Sequence, residues 1–86
     1  MIINGFELLL TCYAMPEQYD VYKDGKQVAY LRLRHGYFYA SCPDVNGDII
    51  YKADLSMEGR FHDDDREEYL TEAINAVDEW LKQQHQ

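Results

Sequence analysis

The chain has 86 residues and a formal net charge of −8, with 47% hydrophobic, 14% aromatic and 28% charged residues. A chain this short buries only about 60–65% of its unfolded surface, which allows one core, so residues 1–86 read as a single domain. The aromatic content excludes wholesale disorder, and no run approaches the roughly 18 apolar residues needed to span a bilayer.

The opening from Met1 to Cys12 has an apolar patch, but no basic residue precedes it and Glu7 interrupts it. That is not the build of a secretion signal. The expectation is a cytoplasmic chain in which Cys12 and Cys42 stay reduced and fill small strand positions. Neither cysteine has zinc-type spacing to another ligand.

Phe6 to Tyr13 reads as a first strand, stopped by Met15-Pro16 because proline lacks an amide donor and restricts the residue before it. Tyr19 to Lys23 alternates and is followed by Asp24-Gly25, a dipeptide suited to the positive φ angles of a tight hairpin turn. The run Gln27 to Arg34 then places Leu31 and Leu33 on one side and Tyr30, Arg32 and Arg34 on the other, by the two-residue period of a strand. His35-Gly36 makes a second turn, and Tyr37 to Cys42 a return strand that ends at Pro43. Asn46-Gly47 marks a third turn, and Ile49 to Asp54 a last strand. Residues 55–62 read as a loop with Met57 and Phe61 as anchors.

A helix is predicted over about 64–83. Tyr69, Leu70, Ala73, Ile74, Val77, Trp80 and Leu81 recur at helical spacing and form one apolar stripe. Asp63, Asp64 and Asp65 suit the positive end of the helix dipole, and Asp64 with Glu67 has the spacing of a capping box. The fold class is therefore α+β, an antiparallel β-meander of four to five strands within about 6–54 followed by one long C-terminal helix. Such a helix covers one sheet face, over Leu31, Leu33, Phe38, Ala40 and Cys42, and leaves the other bare.

Charge divides unevenly along the chain. Residues 1–53 hold six acids against five bases, a net of −1, whereas residues 54–86 hold ten acids against three bases, a net of −7. The acidic third would repel phosphate backbones and attract basic partners. The bare sheet face is expected to carry Tyr30, Arg32 and Arg34 with Tyr37 and Tyr39 opposite them, joined by Tyr51 and Tyr22 if the registers allow. Cross-strand stacking of these side chains stabilises an exposed face by about 0.2–1 kcal/mol per pair. Tyrosine and arginine are also the residue types that dominate binding hot spots. Tyr30, Arg32, Arg34, Tyr37, Tyr39 and Tyr51 are accordingly the candidate partner surface.

No phosphate-binding glycine loop, nucleophile elbow or metalloprotease helix motif occurs. The segment from Asp44 to Asp48 starts like a calcium loop, but Ile49 stands where glycine is required and Leu55 where the closing glutamate belongs. His62-Asp63-Asp64-Asp65 reads as helix capping. These patterns predict no enzyme, no metal and no cofactor.

The stretch Tyr30-Leu31-Arg32-Leu33-Arg34-His35-Gly36-Tyr37-Phe38, with the Asp-rich helix start, resembles small uncharacterised bacterial proteins of phage and conjugative elements, over residues 20–80. A second resemblance is to the N-terminal domain of HicB-type antitoxins. It rests on Pro43-Asp44-Val45-Asn46-Gly47 and on Glu72-Ala73-Ile74-Asn75-Ala76-Val77, with an extra strand between them here. The expected function is a non-enzymatic protein-interaction module, an adaptor, inhibitor or antitoxin-like protein that uses the Tyr/Arg face or the acidic helix. Its protein partner is unidentified from sequence. Nucleic-acid binding through the sheet, with rings on bases and arginines on phosphates, is the alternative. The net charge opposes it. Self-association through the sheet or its edges, giving a homodimer, is a third reading.

Overall fold

The computed structural model describes residues 1–12 and 15–84. Six strands, β1 (Ile2–Ile3), β2 (Phe6–Leu10), β3 (Glu17–Lys23), β4 (Lys26–Arg34), β5 (Tyr37–Cys42) and β6 (Asp48–Asp54), are followed by the helix α1 (Asp63–Gln84). The strands lie in sequence order in one antiparallel sheet, with each strand paired to the next. The fold is thus an α+β meander with a C-terminal helix, but with six strands rather than four to five. The added strand comes from Asn4-Gly5. Both residues have positive φ, 51° and 86°, so the chain reverses there and pairs Ile2 with Glu7 and Ile3 with Phe6. This is the same asparagine-glycine chemistry that suits a two-residue hairpin, placed before residue 6, where no strand was expected. The expected end of the first long strand, Tyr13, lies outside the described residues; β2 ends at Leu10.

Asp24-Gly25 and His35-Gly36 make the other tight turns, again with positive φ at both residues of each pair. Asn46-Gly47 closes differently. The Gly47 amide donates to the Asp44 carbonyl at 2.9 Å, the Asn46 amide to Asp44 Oδ1 at 3.0 Å, and the Ser41 hydroxyl to the Asp44 carbonyl at 2.8 Å.

Lateral pairing settles which residues face the helix. Leu8, Val21 and Ala29 align, as do Tyr19, Leu31, Ala40 and Tyr51, and Glu17, Leu33, Phe38 and Ala53. Leu31, Leu33, Phe38, Ala40 and Cys42 are buried under Leu70, Ala73, Ile74 and Val77. Two irregularities widen this core. Val28 is an extra residue where β4 pairs with Val21 and Tyr22, and Ile50 is an extra residue where β6 pairs with Ala40 and Ser41. Each bulge turns its extra side chain toward the core instead of the bare face.

The loop before the helix is stitched to the sheet. Leu55 donates to the Gly36 carbonyl at 2.6 Å, Gly36 to the Glu58 carbonyl at 2.7 Å, and Glu17 to the Gly59 carbonyl at 2.6 Å. Phe61 anchors it, edge-on to Phe38 at 4.9 Å and stacked on Tyr69 at 5.9 Å. The helix begins at Asp63, so Asp64 falls inside the first turn rather than at the cap. In place of a capping box, Arg66 turns back and donates to Asp63 at 2.7 Å and to the Phe61 carbonyl at 3.1 Å. Among the described residues no helix is long and apolar enough to cross a membrane.

Candidate interaction surface

The helix packs on β4, β5 and β6 from one side, and the opposite side of the sheet is the bare face. Its composition follows from register. Thr11, Gln18, Arg32, Tyr39 and Lys52 form one row across the sheet, and Leu9, Asp20, Tyr30, Ser41 and Ile49 the next. Arg34, Tyr37 and Asp54 form a third. At the other end, Glu7 lies between Ile2 and Tyr22.

Five of the six predicted surface residues share this face. Arg34 is exposed, and Arg32, Tyr37 and Tyr39 are half-buried. The Tyr37 and Tyr39 rings stack at 5.6 Å, and Tyr30 leans on Tyr39 at 6.2 Å. Tyr30 itself is only 8% exposed. Its hydroxyl donates to Gln18 Oε1 at 3.0 Å, and burial pushes its phenol pKa above the ordinary value, with Tyr39 adding to the shift. Tyr30 therefore stiffens the face more than it offers itself to a partner.

Tyr51 is the exception. It aligns with Ala40, lies on the helix side, and packs edge-on against Phe38 at 5.8 Å. Burial, followed by the carboxylates of Glu72 and Glu68 on the helix, raises its phenol pKa. The bulge at Ile50 shifts the alternation of β6 by one residue, and alternation alone places Tyr51 on the wrong face unless that bulge is known. Lys52 occupies the position expected of Tyr51.

The face also holds side chains that the alternation of β4 and β5 does not reveal. Ile2, Leu9 and Ile49 are 73%, 44% and 53% exposed and all lie on it. Glu7, Asp20 and Asp54 supply three carboxylates against the three cations Arg32, Arg34 and Lys52. The signal for Leu9 was present in β2, where Phe6 and Leu8 alternate with Glu7 and Leu9. Among the described residues, none of the three cations forms an ion pair, and Arg32 Nε is buried without a hydrogen-bond acceptor.

A second polar cluster, invisible in sequence, lies at the opposite side of the sheet. Glu17 is 3% exposed and accepts from Tyr19 Oη at 2.5 Å, the Phe61 amide at 2.9 Å, and Arg66 Nε and Nη2 at 2.8 and 3.2 Å. Burial pushes against its ionisation, but the hydrogen bonds from Arg66, Tyr19 and Phe61 outweigh it and hold the carboxyl below the usual glutamate range. Every carboxylate oxygen is satisfied within the fold, which makes the cluster a structural clamp. Cys12 lies just beyond β2 rather than in a strand, Cys42 is buried, and both thiols are free. Among the described residues no group of three or more His, Cys, Asp or Glu side chains is placed to hold a metal ion.

No protein-family model, curated protein or solved structure matches the chain.

Proposed function

We propose that the protein is a non-enzymatic interaction module, an adaptor or inhibitor that binds another protein through the bare face of its sheet. One observation carries the reading: exposed aliphatic side chains (Ile2, Leu9, Ile49), stacked rings (Tyr37, Tyr39) and the cations Arg32, Arg34 and Lys52 share a face that, among the described residues, no other element covers. Aromatic rings and aliphatic side chains set among unpaired cations are the residue types that protein partners bury. A nucleic acid would want the same rings and cations, but Glu7, Asp20 and Asp54 share the face and would meet phosphates with like charge.

The test is capture from the native host, with parent protein and the Arg32→Ala/Arg34→Ala/Tyr39→Ala variant immobilised side by side. A protein retained by the parent and lost by the variant supports the reading. Equal retention by both, or no retention at all, overturns it. Titrating labelled protein with oligonucleotides at low and high salt gives the other arm. Salt-sensitive shifts confined to residues 28–40 would replace a protein partner with a nucleic acid.

A further inference from the structure

We infer that the partner on the bare face is an acidic protein segment, lying extended over the part of the face where Arg32, Arg34 and Lys52 stand. The inference rests on the interaction reading above and adds the chemistry of the partner.

The first reason is how register groups the charges. Arg32, Tyr39 and Lys52 follow one another in one row, and Arg34, Tyr37 and Asp54 in the next. These adjoining positions hold three cations against one carboxylate, a local net of +2 on a chain whose net is −8. Among the described residues, none of the three cations forms an ion pair, and Arg32 Nε has no acceptor. The hydroxyls of Tyr37 and Tyr39 add donors beside them. A patch so rich in donors is complemented by a partner that brings acceptors and negative charge.

The second reason is spacing. Arg32 and Lys52 stand two strands apart, about 10 Å, and Arg34 stands about 7 Å along β4 from Arg32. A single carboxylate covers a small part of that area. Carboxylates at alternate positions of an extended segment repeat at about 7 Å, the interval from Arg32 to Arg34, and arginine takes such groups in a two-pronged grip. The stacked rings of Tyr37 and Tyr39 on β5, 5.6 Å apart, give the same segment an apolar floor between the β4 and β6 cations.

The third reason is what borders the patch. Asp20 and Glu7 lie in the rows toward the other end of the strands. A short acidic segment stays clear of them, whereas a nucleic-acid strand, charged at every nucleotide, runs on into them. The acidic helix packs on the opposite side of the sheet, and salt screens its charge from this face, with a Debye length of about 8 Å at physiological strength.

The experiment follows backbone amide shifts by NMR while adding a capped peptide that alternates glutamate and threonine, with its glutamine-threonine counterpart as control. Salt-sensitive shifts at residues 32–39 and 52–54 are expected with the glutamate peptide and none with the control. Arg32→Gln/Arg34→Gln should weaken binding at least about tenfold. Lys52→Gln, at an exposed position, should weaken it as well, and it carries the test if circular dichroism shows the double variant unfolded. Absent shifts, equal shifts with both peptides, or affinity that ignores the variants overturns the inference. So does tighter binding of a single-stranded oligonucleotide of equal charge. Light scattering that finds the parent dimeric, with the dimer lost in the variants, replaces the acidic segment with a second copy. A captured protein that the variant loses but the glutamate peptide fails to displace overturns this inference alone and leaves the broader reading standing.

Discussion

Glu17 on β3 and Arg66 on the first turn of α1 meet at 2.8 Å, 49 positions apart in the chain, in a site where the carboxylate is almost wholly buried. Glu17 also holds the Phe61 amide and the Tyr19 hydroxyl, so one side chain ties a strand, a loop and the helix start together. Breaking such a pair from one side strands a buried charge. Glu17→Ala and Arg66→Ala should each lower the unfolding free energy by about 3–5 kcal/mol, and Arg66→Lys by less, since it keeps the charge and loses the two-pronged geometry. Urea denaturation of the three variants checks this. An Arg66→Ala protein as stable as the parent would refute the clamp.

The same carboxylate links stability to pH. Its pKa is lower folded than unfolded, so its contribution is fully present above the unfolded glutamate value of about 4.3. It is lost as pH falls through the folded value, because the unfolded chain takes up the proton first. Unfolding free energy measured from pH 6 to pH 3 should therefore drop with a steeper slope in the parent than in Glu17→Gln. Identical slopes would show that Glu17 is not the linked group.

Gly36 and Gly25 occupy equivalent turn positions with φ of +77° and +81°, but their surroundings differ. A Cβ on Gly25 would meet nothing within 4 Å, whereas one on Gly36 would lie 2.5 Å from the Leu55 carbonyl oxygen. Gly25→Ala should cost only the left-handed backbone penalty, about 1–2 kcal/mol. Gly36→Ala should cost more, since the loop carrying Leu55 must move. Thermal melts of the pair give the order directly, and equal melting temperatures would contradict it.

Tyr51 and Arg34 separate core from surface. Tyr51→Ala removes a ring packed on Phe38 and should destabilise the fold by about 1–3 kcal/mol. Arg34→Ala, on the bare face, should stay within about 0.5 kcal/mol of the parent. Denaturation of each variant at protein concentrations below any self-association is the measurement.

Cys42 is buried, and burial pushes its thiol pKa up to about 11, whereas Cys12 is half-buried beyond the end of β2. A thiol reagent at pH 8 should modify Cys12 first and reach Cys42 only on unfolding. Two thiols reacting at one rate in the folded protein would place Cys42 at the surface.

The features legible from sequence are those written within a few residues of one another. Asp24-Gly25 and His35-Gly36 carry their own turn chemistry, the alternation of Leu31 and Leu33 with Tyr30, Arg32 and Arg34 divides β4 into two faces, and the stripe from Tyr69 to Leu81 marks the helix. Asn4-Gly5 carries the same chemistry, but the strands expected from sequence begin at Phe6 and do not include β1. Long-range pairing decided the rest. Tyr51 goes to the helix side because Ile50 is unpaired against β5, and that bulge exists only once β5 and β6 are in register. Leu9, Asp20 and Ile49 join Tyr30 in one row for the same reason, across five strands that sequence separates by up to 40 positions. Glu17 reads as a polar residue after a proline until Arg66 and the Phe61 amide close on it. Local backbone preferences set the elements, but a buried charge and a shared face depend on partners that only the folded chain brings within a few ångströms.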